Sequence, residues 1–184
     1  MKRKGRLLLV LGLFFLVQAG GTAWSQVTER ASVDSAGVEG NDASTDPSNS
    51  SDGRYVAFES FATNLVANDT NTDKDIFVHD RQTGTTTRVS VDSAGVQGNG
   101  DSNSPSISAD GRYVAFESSA NDLVAGDTNP LSDMFVHDLL GGATTLVSVD
   151  SAGAQDPIPS SSSSPSLASN GRYVAFDSDA VLVA

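Results

Sequence analysis

Gly53-Arg54-Tyr55-Val56-Ala57-Phe58 recurs without change at Gly111–Phe116 and Gly171–Phe176, at spacings of 58 and 60 residues. Each copy follows a turn residue, Asp52, Asp110 or Asn170. Asp-Gly or Asn-Gly ahead of a β-prone apolar run signals a hairpin, and the two-residue turn it favours places both central residues at positive φ. The run Tyr-Val-Ala-Phe barely alternates, which predicts a strand buried on both faces. A near-identical unit every ~60 residues marks a repeat protein.

Working outward from that hexapeptide, four strand-like segments align in each repeat. One set is Ala31–Asp34, Arg88–Asp92 and Leu146–Asp150, each running into Val-Asp-Ser-Ala-Gly. A Gly/Asn/Ser/Pro-rich stretch follows (Val38–Asn49, Val96–Ser104, Ala154–Ser164), and the last copy, with five consecutive serines, reads as a flexible loop. A short segment, clearest as Pro105–Ala109 and Pro165–Ser169, leads into the turn and the central strand. Beyond it come Asn64–Asn71 and Asn121–Asn129, then Asp75–Asp80 and Asp133–Asp138, closed by turns at Arg81–Gly84 and Leu139–Gly142.

The expected fold is all-β. A four-stranded antiparallel meander cannot bury both its faces alone, and radial stacking of such sheets gives a β-propeller with one blade per repeat. Repeat units span about 36–92, 93–150 and a truncated 151–184. Two and a half repeats fall short of the four to eight blades of a typical propeller. The chain therefore reads as an incomplete propeller; if it is complete, copies must assemble into a homo-oligomeric ring.

Ser-x-Asp-Gly-Arg-Tyr-Val-Ala-Phe-x-Ser, followed by Asp-Ile-Phe-Val-x-Asp and a Gly-ended turn, resembles the TolB-like β-propeller repeat. The resemblance covers roughly residues 27–184. It implies a propeller in an exported, often periplasmic, bacterial protein. No separate N-terminal domain precedes the repeats, and the loops are longer than in a compact ~43-residue blade.

The first 25 residues stand apart. Lys2, Arg3, Lys4 and Arg6 precede the apolar run Leu7–Val17 and a small-residue end at Ala23-Trp24-Ser25, the pattern of a cleavable signal peptide. The run is too short to span a bilayer as a mature anchor. Secretion or a periplasmic location is expected, with no membrane insertion after cleavage. Removing residues 1–25 leaves 7 basic against 23 acidic residues, a net charge of −16. That balance argues against nucleic acid and favours cations. With no cysteine, disulfide staples are excluded.

Asp69-Thr-Asn71-Thr-Asp73-Lys-Asp75 sets oxygen side chains at alternate positions, the arrangement that aims several oxygens at one calcium ion. Lys74 stands where an EF-hand requires Gly, so a helix–loop–helix site is not expected. The second repeat keeps Asp127, Asn129 and Asp133 but has Leu131 at the third ligand position. Calcium is the expected cofactor, with Asp69, Asn71, Asp73, Asp75, Asp127, Asn129 and Asp133 as ligands and the first repeat the fuller set. The competing reading makes these residues Asx-turn formers. His79 and His137 occupy one repeat position and are expected to cap their strands by hydrogen bonds, because zinc requires ligands that neither repeat supplies. Arg54 and Arg112 before the central strand, and Glu59 and Glu117 after it, read as scaffold ion pairs. Gly100-Asp101-Ser102-Asn103 resembles a hydrolase nucleophile block, but no Asp-x-x-His follows, and there is no Gly-x-Ser-x-Gly. The expected function is a non-catalytic binding module with a protein or small-ligand partner. The alternatives are the propeller portion of a longer hydrolase or peptidase, and a structural cell-surface repeat array.

Overall fold

The computed structural model describes residues 9–13, 26–129, 131–155 and 161–179. Every regular element among them is a strand. β1 (Leu9–Leu13) and β2 (Gln26–Arg30) precede the first repeat, which contains β3 (Ser44–Asn49), β4 (Tyr55–Ser60), β5 (Asp75–Asp80) and β6 (Thr85–Arg88). The second repeat contains β7 (Ser102–Ile107), β8 (Tyr113–Ser118), β9 (Asp133–Asp138) and β10 (Thr144–Leu146), and the third β11 (Ser162–Leu167) and β12 (Val174–Ser178). The first two repeats are four-stranded antiparallel meanders in chain order, the third is a two-stranded half, and β1 pairs with β2. These are propeller blades, one per repeat, in an incomplete ring.

Two strand positions differ from the expectation. The outer strand is the β-branched run Thr85–Arg88, or Thr144–Leu146, and not the Val-Ser-Val-Asp segment behind it. Past Val89 the ladder stops because Ser90 Oγ takes the Ile76 N–H at 3.1 Å, and the chain closes a small loop through a Val91–Gln97 bridge. The innermost strand lies inside the Ser/Pro-rich stretch, so the serine run expected to be a flexible loop supplies β11 from Ser162 onward, while residues 156–160 lie outside the described residues. A bulge admits the proline, which donates no ladder hydrogen bond. The register slips between Thr45 and Ser48, and the residue before each proline adopts positive φ: Asp46 at 49°, Ser104 at 53° and Ser164 at 57°. The strands begin on buried serine pairs, Ser44 Oγ donating to Ser60 Oγ and Ser102 Oγ to Ser118 Oγ, both at 2.9 Å.

The hairpin turn also differs in type. Gly53, Gly111 and Gly171 take φ of 69°, 75° and 68°, but the residue before each does not. Gly53 N–H donates to Ser50 C=O at 2.9 Å, closing a type I turn with glycine in the left-handed position behind it. Asp52 Oδ1 accepts from Ser50 Oγ at 2.6 Å and from Arg54 N–H at 3.0 Å, which fixes the turn without positive φ at the aspartate.

The central strands of the first two repeats are buried on both faces as expected, with Val56, Ala57 and Phe58 at 0% exposure, whereas β12 of the third is not. One face of the first blade joins Val56, Phe58 and Phe77 to Ala31, Ala62 and Leu65. The other face carries Ala57, Ile76 and Val78 into a shared core with Ile107, Val114 and Phe116 of the next blade. Phe58 stacks on Phe77 with centroids 5.9 Å apart, and Phe116 on Phe135 at 5.8 Å. Each such ring contributes about 1.5–3 kcal/mol by burial. β7 packs across β3 and β4, and β11 across β7 and β8, so each repeat's first strand covers the preceding blade. The apolar run expected to belong to a signal peptide is described only at Leu9–Leu13, where it forms a strand; the rest of residues 1–25 lies outside the described residues.

Candidate cation site

The loop between the second and third strands of each blade folds back over the start of the third strand. Asp75 and Asp133 open that strand, 1% and 3% exposed. Burial raises both carboxyls above the usual aspartate range. One oxygen of each is tied to the Val-Ser-Val segment: Ser90 Oγ donates to Asp75 Oδ1 at 2.5 Å, and Ser148 Oγ to Asp133 Oδ1 at 2.6 Å.

The two repeats diverge at the remaining oxygens. In the first, Arg88 Nη1 lies 3.0 Å from Asp75 Oδ2 and 3.2 Å from Asp69 Oδ1. The second contact has the distance of an ion pair but not hydrogen-bond geometry, and Asp69 Oδ1 is buried without a donor, as is Asn71 Oδ1. Burial raises the Asp69 carboxyl, and Arg88 works against that rise. Asp73 stands apart, half-buried, and enters only as a nearby negative charge that raises Asp69 further. The cation expected from the sequence therefore has a competitor inside the protein, the Arg88 guanidinium.

In the second repeat Leu146 occupies the place of Arg88, each paired across the ladder with the phenylalanine of the third strand. Asp127 and Asp133 have no ion pair among the described residues. Their neighbours are amides: Gln155 Nε2 donates to Asp127 Oδ1 at 3.1 Å and to Asp133 Oδ2 at 3.0 Å, and Asn129 Nδ2 donates to Asp133 Oδ2 at 2.8 Å. Asp127 Oδ2 is buried with no hydrogen-bond partner, and the Asp127 charge adds to burial in raising Asp133. Asn129 Oδ1 accepts the Leu131 N–H at 2.8 Å, so this asparagine also forms an Asx-turn. Among the described residues no three acidic or histidine side chains cluster to hold a metal. A cation here would draw on two carboxylates and amide or backbone oxygens, a donor set that suits a hard ion. The fuller ligand set of the first repeat thus has an internal counter-charge in Arg88, and the sparer set of the second has none among the described residues.

Gln155 was not among the sequence candidates. Its signal is positional, since Glu39, Gln97 and Gln155 recur two residues past Asp-Ser-Ala-Gly. Gln97 Oε1 accepts Thr70 N–H at 3.3 Å, as Gln155 Oε1 accepts Thr128 N–H at 2.9 Å, so each repeat's loop is clamped by the next repeat.

The other singled-out residues serve the scaffold. His79 Nδ1 lies 2.8 Å from Thr86 Oγ1, whose single proton goes to Val33 C=O at 2.5 Å. The threonine can then only accept from the ring, so Nδ1 carries the hydrogen. His137, Thr144 and Val91 repeat the relay. It clips the segment leaving one repeat onto the outer strand of the following blade. Arg54 grips Asp80 through two hydrogen bonds at 2.9 and 2.7 Å, and Arg112 grips Asp138 at the same distances. Glu59 instead accepts from Lys74 Nζ at 2.8 Å and from the Ser104 N–H of the next blade at 3.0 Å. Ser102 of the hydrolase-like tetrad is fully buried in its pair with Ser118.

No protein-family model and no curated protein matches the sequence. Among solved structures, the chain is similar to a protein described as TolB of Agrobacterium tumefaciens (21% identity, 74% of this chain and 38% of that one, TM-score 0.47). It is also similar to TolB of Acinetobacter baumannii (16% identity, 83% and 29%, TM-score 0.45). A third similar structure is the β-propeller domain of the Trilobed protease of Pyrococcus furiosus, with an open velcro topology (14% identity, 72% and 33%, TM-score 0.46). The chain thus spans well under two thirds of the length of each of these structures.

Proposed function

We propose that this chain is an exported, non-catalytic β-propeller module that binds a protein or small ligand and holds one calcium ion in its second repeat. The observation that carries the cation is the pair Asp127 and Asp133: two carboxylates in one partly buried pocket, without a counter-charge among the described residues, beside an orphaned Asp127 Oδ2. Two like charges held close together in low dielectric repel, and a bound divalent ion removes that cost. Asp127, Asn129 and Asp133 would hold the ion, which supplies charge neutralisation and not chemistry. In the first repeat Arg88 does the same work for Asp69 and Asp75, which favours one site per chain.

Support for a non-catalytic role comes from the occupied state of the reactive groups. Both histidines are committed to threonines, and Ser102 to Ser118. Export is supported by the basic and apolar start of the chain. The test is thermal melting in millimolar calcium and in chelator. Binding to the folded state alone raises the melting temperature by linkage; identical melting curves would remove calcium from the proposal. Export is tested separately, by fractionating a bacterium that expresses the chain; recovery in the cytoplasm with residues 1–25 retained contradicts it.

A further inference from the structure

We propose that the chain assembles head to tail, the third repeat of one copy taking the first repeat of a second copy as its next blade. The interface already exists twice within the molecule. Tyr55 lies over Gly111 and Tyr113 over Gly171, so closely that a Cβ on either glycine would fall inside the tyrosine ring's contact distance. The arginine before each tyrosine lies over the same ring, Arg54 at 4.7 Å and Arg112 at 4.8 Å from the centroid. Each ring is therefore held between a guanidinium of its own repeat and a bare glycine of the next.

At the two ends the halves of this junction are unmatched. Tyr173 is 68% exposed. Gly53 has the same positive-φ turn, but the atom nearest the place of a Cβ is Arg81 Nη1 at 3.7 Å, and among the described residues no ring covers it. The second copy supplies Gly53 to Tyr173 in the relation that Gly111 has to Tyr55.

The strand registers agree with this pairing. β11 and β12 pair from Ser162–Ser178 to Leu167–Val174 with the same bulge as β7 and β8, so they are the first and second strands of a blade. β1 pairs with β2 as β5 pairs with β6: Leu9 stands opposite Arg30 where Phe77 stands opposite Arg88, and Gly12 opposite Val27 where Asp80 stands opposite Thr85. β1 and β2 are therefore in third-strand and fourth-strand register. One chain carries the two complementary halves of a blade in separate sheets. Joining them within the chain would close a ring of three blades, below the four that propellers need; joining them between copies has no such limit. Equivalence with Ala57 and Val78, which face each other in the first blade, sets Ala175 opposite Val10 of the second copy.

The Tyr173–Gly53 junction is independent of the cation site and uses none of residues 1–25, so it does not depend on export; β1 takes part only in the uncleaved chain. It is tested on the whole 184-residue chain made without export, so that Leu9–Leu13 remains. Light scattering should give a mass above the 19.0 kDa of one chain, rising with concentration in the micromolar range. Tyr173→Ala removes the ring, and Gly53→Asn fills the seat with a residue that tolerates positive φ. Each variant alone should be a folded monomer. An equimolar mixture should recover a dimer, because one variant keeps a free Gly53 and the other a free Tyr173. Because the chain has no cysteine, mixed Ala175→Cys and Val10→Cys chains should form a disulfide-linked dimer on oxidation. A monomeric wild-type chain, variants that associate like wild type, or a mixture that stays monomeric would overturn the proposal and assign the open face to another occupant, such as a further repeat of a longer chain.

Discussion

Arg88 and Leu146 occupy the same position in successive repeats, and they leave one acidic loop with a counter-charge and the other without one. Arg88 reaches Asp69 and Asp75 within 3.2 Å, while among the described residues Asp127 and Asp133 meet neutral amides and the Ser148 hydroxyl but no cation. Exchanging them should exchange the behaviour of the loops. Leu146→Arg should raise the melting temperature in chelator and abolish the further rise with calcium. Arg88→Leu leaves two buried carboxylates uncompensated, a loss of roughly 3–5 kcal/mol for a broken buried pair. Calcium should restore part of it. Urea denaturation with and without calcium reads both effects.

The glycine of the hexapeptide has two duties, and they separate by position. Gly111 needs both positive φ and the bare seat for Tyr55, whereas Gly95, at φ 83°, has nothing within 4 Å of the place of a Cβ. Gly95→Ala should cost about 1–2 kcal/mol from backbone strain alone. Gly111→Ala should cost a further ~1–3 kcal/mol, because the Tyr55 ring must move from a packed junction. Equal losses for the two variants in chemical denaturation would show that the Tyr55 seat contributes nothing.

His79 and His137 make stability depend on pH. Burial lowers both imidazoles, opposed for His79 by Glu29 and Asp80 and for His137 by Asp138. An unfolded histidine takes up a proton near pH ~6.5 while the folded one resists, so the unfolded state binds more protons below that pH. Stability is then full above ~6.5, falls as pH drops toward the lowered folded value, and levels off beneath it. Asp75 and Asp133 act in the opposite sense, since raised carboxyls take up protons first in the folded state. Melting temperatures between pH 7.5 and pH 5.5, a range chosen about the ordinary histidine value, should fall for wild type. They should fall less for His79→Gln with His137→Gln.

Phe116 is fully buried against Phe135 in the core shared by adjacent blades. Phe116→Ala should cost about 3–5 kcal/mol. Phe176, its third-repeat counterpart, is only partly buried, in a strand that is largely exposed. Phe176→Ala should cost clearly less, read by the same denaturation curves.

Much of this was legible in the sequence because the repeat aligns every position with its counterparts. The buried central strand followed from Tyr-Val-Ala-Phe, and the third strand from Asp-Ile-Phe-Val-His-Asp. The first strand was obscured because Pro47, Pro105 and Pro165 sit at a bulge, and its serines read as loop although they pair in a buried row. The outer strand was displaced by a few residues because Val-Ser-Val-Asp has higher β character than its actual role, which is to carry Ser90 and Ser148 back to Asp75 and Asp133. The acidic loop was located, but its charge balance was not. That balance depends on a strand residue about twenty positions away, Arg88 or Leu146, which only the folded ladder brings beside the carboxylates.

Equilibrium dialysis of calcium against the folded chain decides whether the second repeat holds an ion. One bound ion per chain is expected, lost in both Leu146→Arg and Asp133→Asn while Asp69→Asn leaves it in place. Binding that survives Leu146→Arg, or a wild-type chain that takes up no calcium, would contradict it.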